Sequence, residues 1–264
     1  MHIHILGICG TFMGSLAVLA RELGHTVTGS DENVYPPMST QLENAGIELH
    51  EGYSREALKP APDLVVIGNA LGRGNPAVEY ALNRNLPYVS GPEWLAREVL
   101  SDRWVLAAAG THGKTTVSSI LAHLLNHSES GCNAFLGGVA KNYQSNVIIN
   151  MKSDLMVAEA DEFDRSFLNL HPNMAVITSM DADHLDIYTN ERSIHKAFEE
   201  FANRLPEEGT LLYNSKLSLP ADTLQRVKSY TYSLQAEADF YPINLEVIEG
   251  KYRFDLVTPK ETIH

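Results

Sequence analysis

Short apolar runs alternate with amphipathic stretches along most of this chain. His2–Leu6, His25–Gly29, Ile47–His50, Asp63–Ile67 and Pro87–Val89 read as strands. Between them the spacing predicts helices over Thr11–Leu23, Ser39–Ala45, Pro76–Asn83 and Glu93–Leu100, with Gly24 and Asn85 closing two of them. Apolar strands in strict turn with helices predict an α/β fold, a parallel sheet covered on both faces. The polar stretch Ser101-Asp102-Arg103 is the expected domain boundary, giving residues 1-102 and 103-264. Beyond it come a strand at Trp104–Ala108 and a helix at Lys114–Asn126. A strand at Cys132–Leu136, Gly137-Gly138 and a loop to Asn146 follow. Further strands are expected at Asp154–Ala158, Met174–Thr178, Thr210–Tyr213 and Tyr230–Tyr232, with a helix at Ser193–Arg204. Ile243–Val247 and Tyr252–Leu256 alternate as an antiparallel pair does.

Ligands of such sheets sit beyond the carboxyl ends of the strands, and the informative residues fall there. Gly110-Thr111-His112-Gly113-Lys114-Thr115-Thr116 follows an apolar strand and opens a helix. That is a phosphate cradle: backbone N–H groups and the positive end of a helix dipole converge on one anion. Lys114 adds a cation for the terminal phosphates and Thr115 a hydroxyl for Mg²⁺. The usual loop has a further glycine five residues before Gly113, where this chain has Ala108. Two later strands deliver Glu159-Ala160-Asp161-Glu162 and Asp181-Ala182-Asp183-His184. Carboxylates fixed at strand ends suit a metal beside phosphates, so Glu159, with Thr115, is the expected Mg²⁺ ligand. His184 is placed beside a second metal position or the reacting phosphoryl group, although imidazole is not a preferred partner of a hard cation.

The N-terminal turn Gly7-Ile8-Cys9-Gly10-Thr11-Phe12-Met13-Gly14 is followed by Ser30-Asp31 at the end of the second strand, about 20 positions on. This is the opening of a Rossmann-like nucleotide-binding unit, but its glycine spacing differs from the dinucleotide fingerprint. A diphosphate on that helix N-terminus is favoured over a nicotinamide cofactor. Gly7, Cys9, Gly10, Thr11, Phe12, Met13, Gly14, Ser30, Asp31 and Asn69 are the candidate contacts, with Cys9 expected to pack rather than react. The remaining histidines, His112 apart, are expected at surface or strand polar positions.

Composition narrows the partners. Lys and Arg number 20 against 33 Asp and Glu, a formal charge of −13, which argues against a nucleic-acid surface. The cysteines Cys9 and Cys132 make no disulfide framework, and MHIHILG carries no basic signal-peptide start, so a cytoplasmic location is expected. No apolar run approaches the about 18 residues a membrane span needs.

GTHGKTT, EADEFDRSF and DADHLDIY, with GICGTFMG and GSD, resemble the Mur ligase family of peptidoglycan synthesis. Within that family, NVYPPMSTQLE, VVIGNALGRGNPAVEY and LPYVSGPEWL in residues 1–116 are similar to members that ligate the murein tripeptide. CNAFLGGVAKNY and the later motifs are closer to members that add L-alanine. The resemblance implies a UDP-N-acetylmuramate-binding domain followed by an ATP-binding P-loop central domain. It implies that ATP and Mg²⁺ serve to phosphorylate the lactyl carboxylate of UDP-N-acetylmuramate. The amine of L-alanine or of L-Ala-γ-D-Glu-meso-diaminopimelate then attacks the acyl phosphate. Lys114, Glu159 and His184 carry the catalytic roles by this resemblance, Glu159 and His184 holding a second Mg²⁺. It also implies a closing third domain beyond the residues present here, so little turnover is expected of this chain. Phe198 falls near the place of a carbamylated lysine in later-step ligases, and Lys196 reads as a solvated position. A non-catalytic module binding UDP-sugar and ATP is the rival reading. A P-loop kinase or GTPase using Asp161 or Asp183 would leave the N-terminal glycine turn unexplained.

Overall fold

The computed structural model describes residues 1–143, 145–181, 191–235 and 238–264. Two compact units are present, 1–103 with 132–153, and 104–131 with 154–264. The first begins β1 (His2–Leu6), α1 (Thr11–Glu22), β2 (Thr26–Asp31), α2 (Met38–Asn44) and β3 (Glu48–Glu51). A single 3₁₀ turn, Arg55–Leu58, leads to β4 (Leu64–Ile67), α3 (Pro76–Asn83), β5 (Tyr88–Ser90) and α4 (Gly91–Leu95). The chain then enters a π turn at Ala96–Leu100, so the helix expected as one piece over Glu93–Leu100 changes its winding part-way.

The five strands form one parallel sheet in the order β3-β2-β1-β4-β5. Successive strands are added on one side of β1 up to β3 and on its other side from β4 on, so the turns after β1 and β4 flank the switch point where α/β sheets bind ligands. Leu6, Leu58, Val65, Ala77, Val78 and Ala81 form a core under α3 and the 3₁₀ turn. Gly29 of β2 leaves room for Ile8: a Cβ there would stand 2.3 Å from Ile8 Cδ1 and 2.8 Å from Ile5 O.

Polar side chains are also buried in this sheet, among them His4, Ser30 and Asp31. His4 is fully buried, its Nδ1 2.7 Å from Thr28 Oγ1 and its Nε2 2.9 Å from Ser30 Oγ. Burial, reinforced by His50 and His2, pushes its pKa down to about 3. The unfolded chain therefore takes up the proton first: stability is complete above the ordinary histidine pKa and falls as pH drops from there towards 3. The expected slope is about 1.4 kcal/mol per pH unit across that window. Urea unfolding between pH 7 and 4 checks this; in His4→Gln that component of the slope disappears.

In the second unit, β6 (Trp104–Ala109) runs into α5 (Lys114–Asn126). The segment 132–153 that follows forms β7 (Asn133–Ala140) and β8 (Ser145–Ile148), an antiparallel hairpin within the first unit. The loop expected up to Asn146 is thus corrected: β7 continues through Gly137-Gly138 and its return strand begins at Ser145. The pairing with β8 shifts register between Phe135 and Ala140, the stretch that holds the two glycines.

The second unit resumes with β9 (Leu155–Ala160), a 3₁₀ segment at Phe163–Asn169, β10 (Met174–Ile177), α6 (Glu191–Ala202) and β11 (Thr210–Asn214). Next come α7 (Ala221–Arg226), β12 (Lys228–Tyr232), β13 (Tyr241–Ile248), β14 (Lys251–Val257) and β15 (Thr262–Ile263). β12, β11, β10, β6 and β9 lie side by side in that order, all parallel. β13, β14 and β15 form a separate antiparallel sheet, so the pair expected there gains a third strand. Phe198 is buried against Phe167, ring centroids 5.3 Å apart, and Lys196 is exposed.

Candidate active site

β6 and β9 are in register with Ala108 opposite Glu159 and Ala109 opposite Ala160. This pairing brings the turn after β6 beside the carboxylates at the end of β9. Gly110 (φ 137°) and Gly113 (φ 85°) turn the chain through conformations that favour glycine, and Gly113 is the N-cap of α5. The loop is tied to the turn after β10. Thr178 Oγ1 donates to His112 O at 2.5 Å, His112 N donates to Ser179 Oγ at 2.9 Å, and Thr111 Oγ1 accepts from Asp181 N at 3.1 Å.

α3 and α4 are capped by side chains, from Asn75 and Ser90. α5 has neither a capping side chain nor an acidic residue in its first turn. An uncapped N-terminus leaves amides and a positive dipole end directed at whatever occupies the loop. Lys114 Nζ is mostly buried, 2.7 Å from Glu162 Oε2 and 3.5 Å from Asp161 Oδ1, and the Glu162 side chain is fully buried. Thr115 Oγ1 donates to Glu159 Oε1 at 2.9 Å. Thr115 and Thr116 are exposed at the head of the helix, as is His112, whose Nε2 lies 3.7 Å from Asp181 Oδ2. Lys114, Thr115 and Glu159 are therefore gathered at one strand–helix junction with Gly110–Gly113. His184 lies outside the described residues. Among the described residues no group of three or more His, Cys, Asp or Glu side chains is placed to hold a metal ion.

Sequence reasoning missed the partner of Lys114. Glu162 was in view as part of the acidic turn, but periodicity carries no signal for which of its carboxylates points inward.

The first unit repeats the uncapped design. Gly7 turns at φ 81° and its N–H, with that of Ile8, donates to Ser30 O, at 2.8 and 3.3 Å. Asp31 accepts from Cys9 N at 2.9 Å and from Asn33 N at 3.0 Å. Gly10 is the N-cap of α1, again with no capping side chain and no acid in the first turn. Gly10 and Thr11 are exposed, Phe12 is half-buried, and Met13 and Gly14 are buried. Ser30 is buried with its hydroxyl on His4, so it braces the turn from beneath. Gly68 N donates to Leu6 O at 2.9 Å, which sets the turn after β4, with Asn69 exposed on it, beside Gly7. Burial and Asp31 push the Cys9 thiol up to about 11, so at neutral pH it stays protonated and is not poised as a nucleophile.

Two family models divide the chain between them: the Mur ligase family catalytic domain over residues 2–103 and the Mur ligase middle domain over 108–264. The chain belongs to the Mur ligase family. Its similarity to UDP-N-acetylmuramate–L-alanyl-γ-D-glutamyl-meso-2,6-diaminoheptandioate ligase of Escherichia coli (strain K12) is 49% identity over 220 residues, covering 81% of this chain and 48% of that protein. UDP-N-acetylmuramate–L-alanine ligase of Christiangramia forsetii is 38% identical over 272 residues, covering 99% and 57%. The crystal structure of the murein-tripeptide type of ligase from Neisseria meningitides superposes with a TM-score of 0.90 at 36% identity, covering 99% of this chain and 85% of that one. This Mur ligase chain spans about half the length of the curated relatives it matches. Both kinds of ligase whose motifs the sequence combines are among those relatives. Among the described residues no helix is long and apolar enough to cross a membrane.

Proposed function

We propose that this chain supplies the UDP-N-acetylmuramate-binding and ATP-binding parts of a cytoplasmic, ATP-dependent ligase. Such an enzyme joins the lactyl carboxylate to the amine of L-alanine or of the L-Ala-γ-D-Glu-meso-diaminopimelate tripeptide. The observation that carries this reading is the junction of β6 and α5. An uncapped helix N-terminus, Lys114, Thr115 and Glu159 meet there, the set a nucleoside triphosphate requires. Thr115 and Glu159 present hard oxygen donors side by side, which fits Mg²⁺, an ion that keeps waters and phosphate oxygens as its other ligands. Bound there, Mg²⁺ would neutralise phosphate charge.

The chain's own groups account for the remaining roles. The loop amides cradle the phosphates, and Lys114 moves from Glu162 and Asp161 to the γ-phosphate being transferred. The uncapped N-terminus of α1, braced through Asp31 and Ser30, takes the UDP diphosphate with Gly7–Gly14 and Asn69. Catalysis of this kind is positioning and electrostatic stabilisation, with no covalent enzyme intermediate. Amine choice is the finer question, and relatives of both kinds match.

Isothermal titration tests the assignment. UDP-N-acetylmuramate and MgATP are expected each to bind at one site per chain and not to compete, with NAD failing to displace the UDP-sugar. Competition between the two nucleotides, or tighter binding of NAD, would overturn it.

A further inference from the structure

Asn146 is encoded between α5 and β9 but is built into the first unit. Its side chain is fully buried against α1. Asn146 Nδ2 donates to Ser15 Oγ, and Ser15 Oγ donates in turn to Thr11 O at 2.6 Å. Thr11 is the first residue of α1, so a chain of two hydrogen bonds runs from the hairpin to the first turn of that helix. A second contact grips the same turn: the Phe12 ring meets Phe135 edge-on, centroids 5.1 Å apart at 68°. β7 contributes Phe135 and β8 contributes Asn146, so both strands of the hairpin hold α1.

The arrangement has a cost that fold alone does not explain. Asn146 Oδ1 is buried with no hydrogen-bond partner among the described residues, and an unmet buried acceptor destabilises. What the residue contributes is its donor. With Asn146 donating, the Ser15 hydroxyl hydrogen is committed to Thr11 O; with that donor gone, the hydroxyl is free to rotate. α1 has a glycine at its N-cap, no capping side chain and no acid in its first turn, so its first turn is prone to fray. A frayed anion site must be ordered at the moment of binding, and that ordering lowers affinity.

We propose that Asn146 is a positioning residue for the first nucleotide site: through Ser15 it locks the first turn of α1 into the form that receives a diphosphate. The inference rests on the reading that this turn takes the diphosphate of the UDP-sugar.

The test is a double-mutant cycle on UDP-N-acetylmuramate affinity, by titration, with Ser15→Ala, Asn146→Leu and the pair. MgATP affinity of each variant serves as the internal reference. Alanine is the best helix former, so Ser15→Ala raises the intrinsic helix preference of α1 while removing the clamp. A role in stability alone would leave its affinity for the UDP-sugar untouched. Each single variant is expected to bind UDP-N-acetylmuramate about tenfold more weakly, the magnitude of one lost hydrogen bond of this kind. The pair is expected to be no weaker than either single, and MgATP binding is expected to stay unchanged. Wild-type affinity in folded Ser15→Ala, or losses that add in the pair, would overturn the inference. If Asn146→Leu does not fold, Ser15→Ala decides alone. If the unsubstituted chain fails to bind UDP-N-acetylmuramate, the site assignment beneath the inference falls, and the inference falls with it.

Discussion

Gly110→Ala is expected to destabilise the second unit by about 2–5 kcal/mol and to abolish ATP binding. The added Cβ would lie 2.0 Å from Thr178 Oγ1 and 2.9 Å from Ser179 N, and the residue would have to hold φ 137°. The Thr178 side chain cannot simply turn away, because its hydroxyl bonds both Ala109 O, at 3.1 Å, and His112 O. Relief therefore requires the loop to separate from the turn after β10, which undoes the hydrogen bonds of Thr111 and His112 to Ser179 and Asp181. Thermal melting combined with MgATP titration checks both effects. A variant with wild-type melting temperature and wild-type ATP affinity would show that this turn is not the phosphate cradle.

Lys114→Ala is expected to have two consequences that can be separated. The first is on stability. Lys114 is the ammonium beside the fully buried Glu162 carboxylate, 2.7 Å away. Removing one partner of a buried pair costs about 3–5 kcal/mol, most of it from the charge left behind. Adding Glu162→Gln removes that charge, so the double variant is expected to recover most of the loss. The second consequence is on ATP, where no such recovery follows, because the cation for the terminal phosphates is still missing. Chemical denaturation of the single and double variants measures the first effect independently of any ligand.

The parts of this molecule that lie contiguous in sequence were legible in it. The helices at Pro76–Asn83 and Lys114–Asn126 and the glycine turns before α1 and α5 follow from local rules of periodicity, capping and backbone freedom. The parallel α/β architecture follows from the apolar strands. What periodicity does not encode is the direction of a side chain leaving a strand end. Glu159 turns to Thr115 and Glu162 to Lys114 across sequence separations of 44 and 48, and nothing in the EADE run distinguishes the two. The hairpin was obscured for a different reason. Ser145 and Asn146 make the start of β8 polar, and Asn146 is buried because Ser15 of another element meets it. His4 was likewise readable only as a polar strand position; its burial depends on Thr28 and Ser30 of β2, which offer hydroxyls on the same face.

The central claim is that the junction of β6 and α5 binds ATP through Lys114. The most direct measurement is isothermal titration of MgATP into Glu162→Gln and into Lys114→Ala/Glu162→Gln, both confirmed folded by melting. The account predicts that the second binds at least about a hundredfold more weakly than the first, the worth of a charge-assisted contact to phosphate. Equal affinities in the two would contradict it.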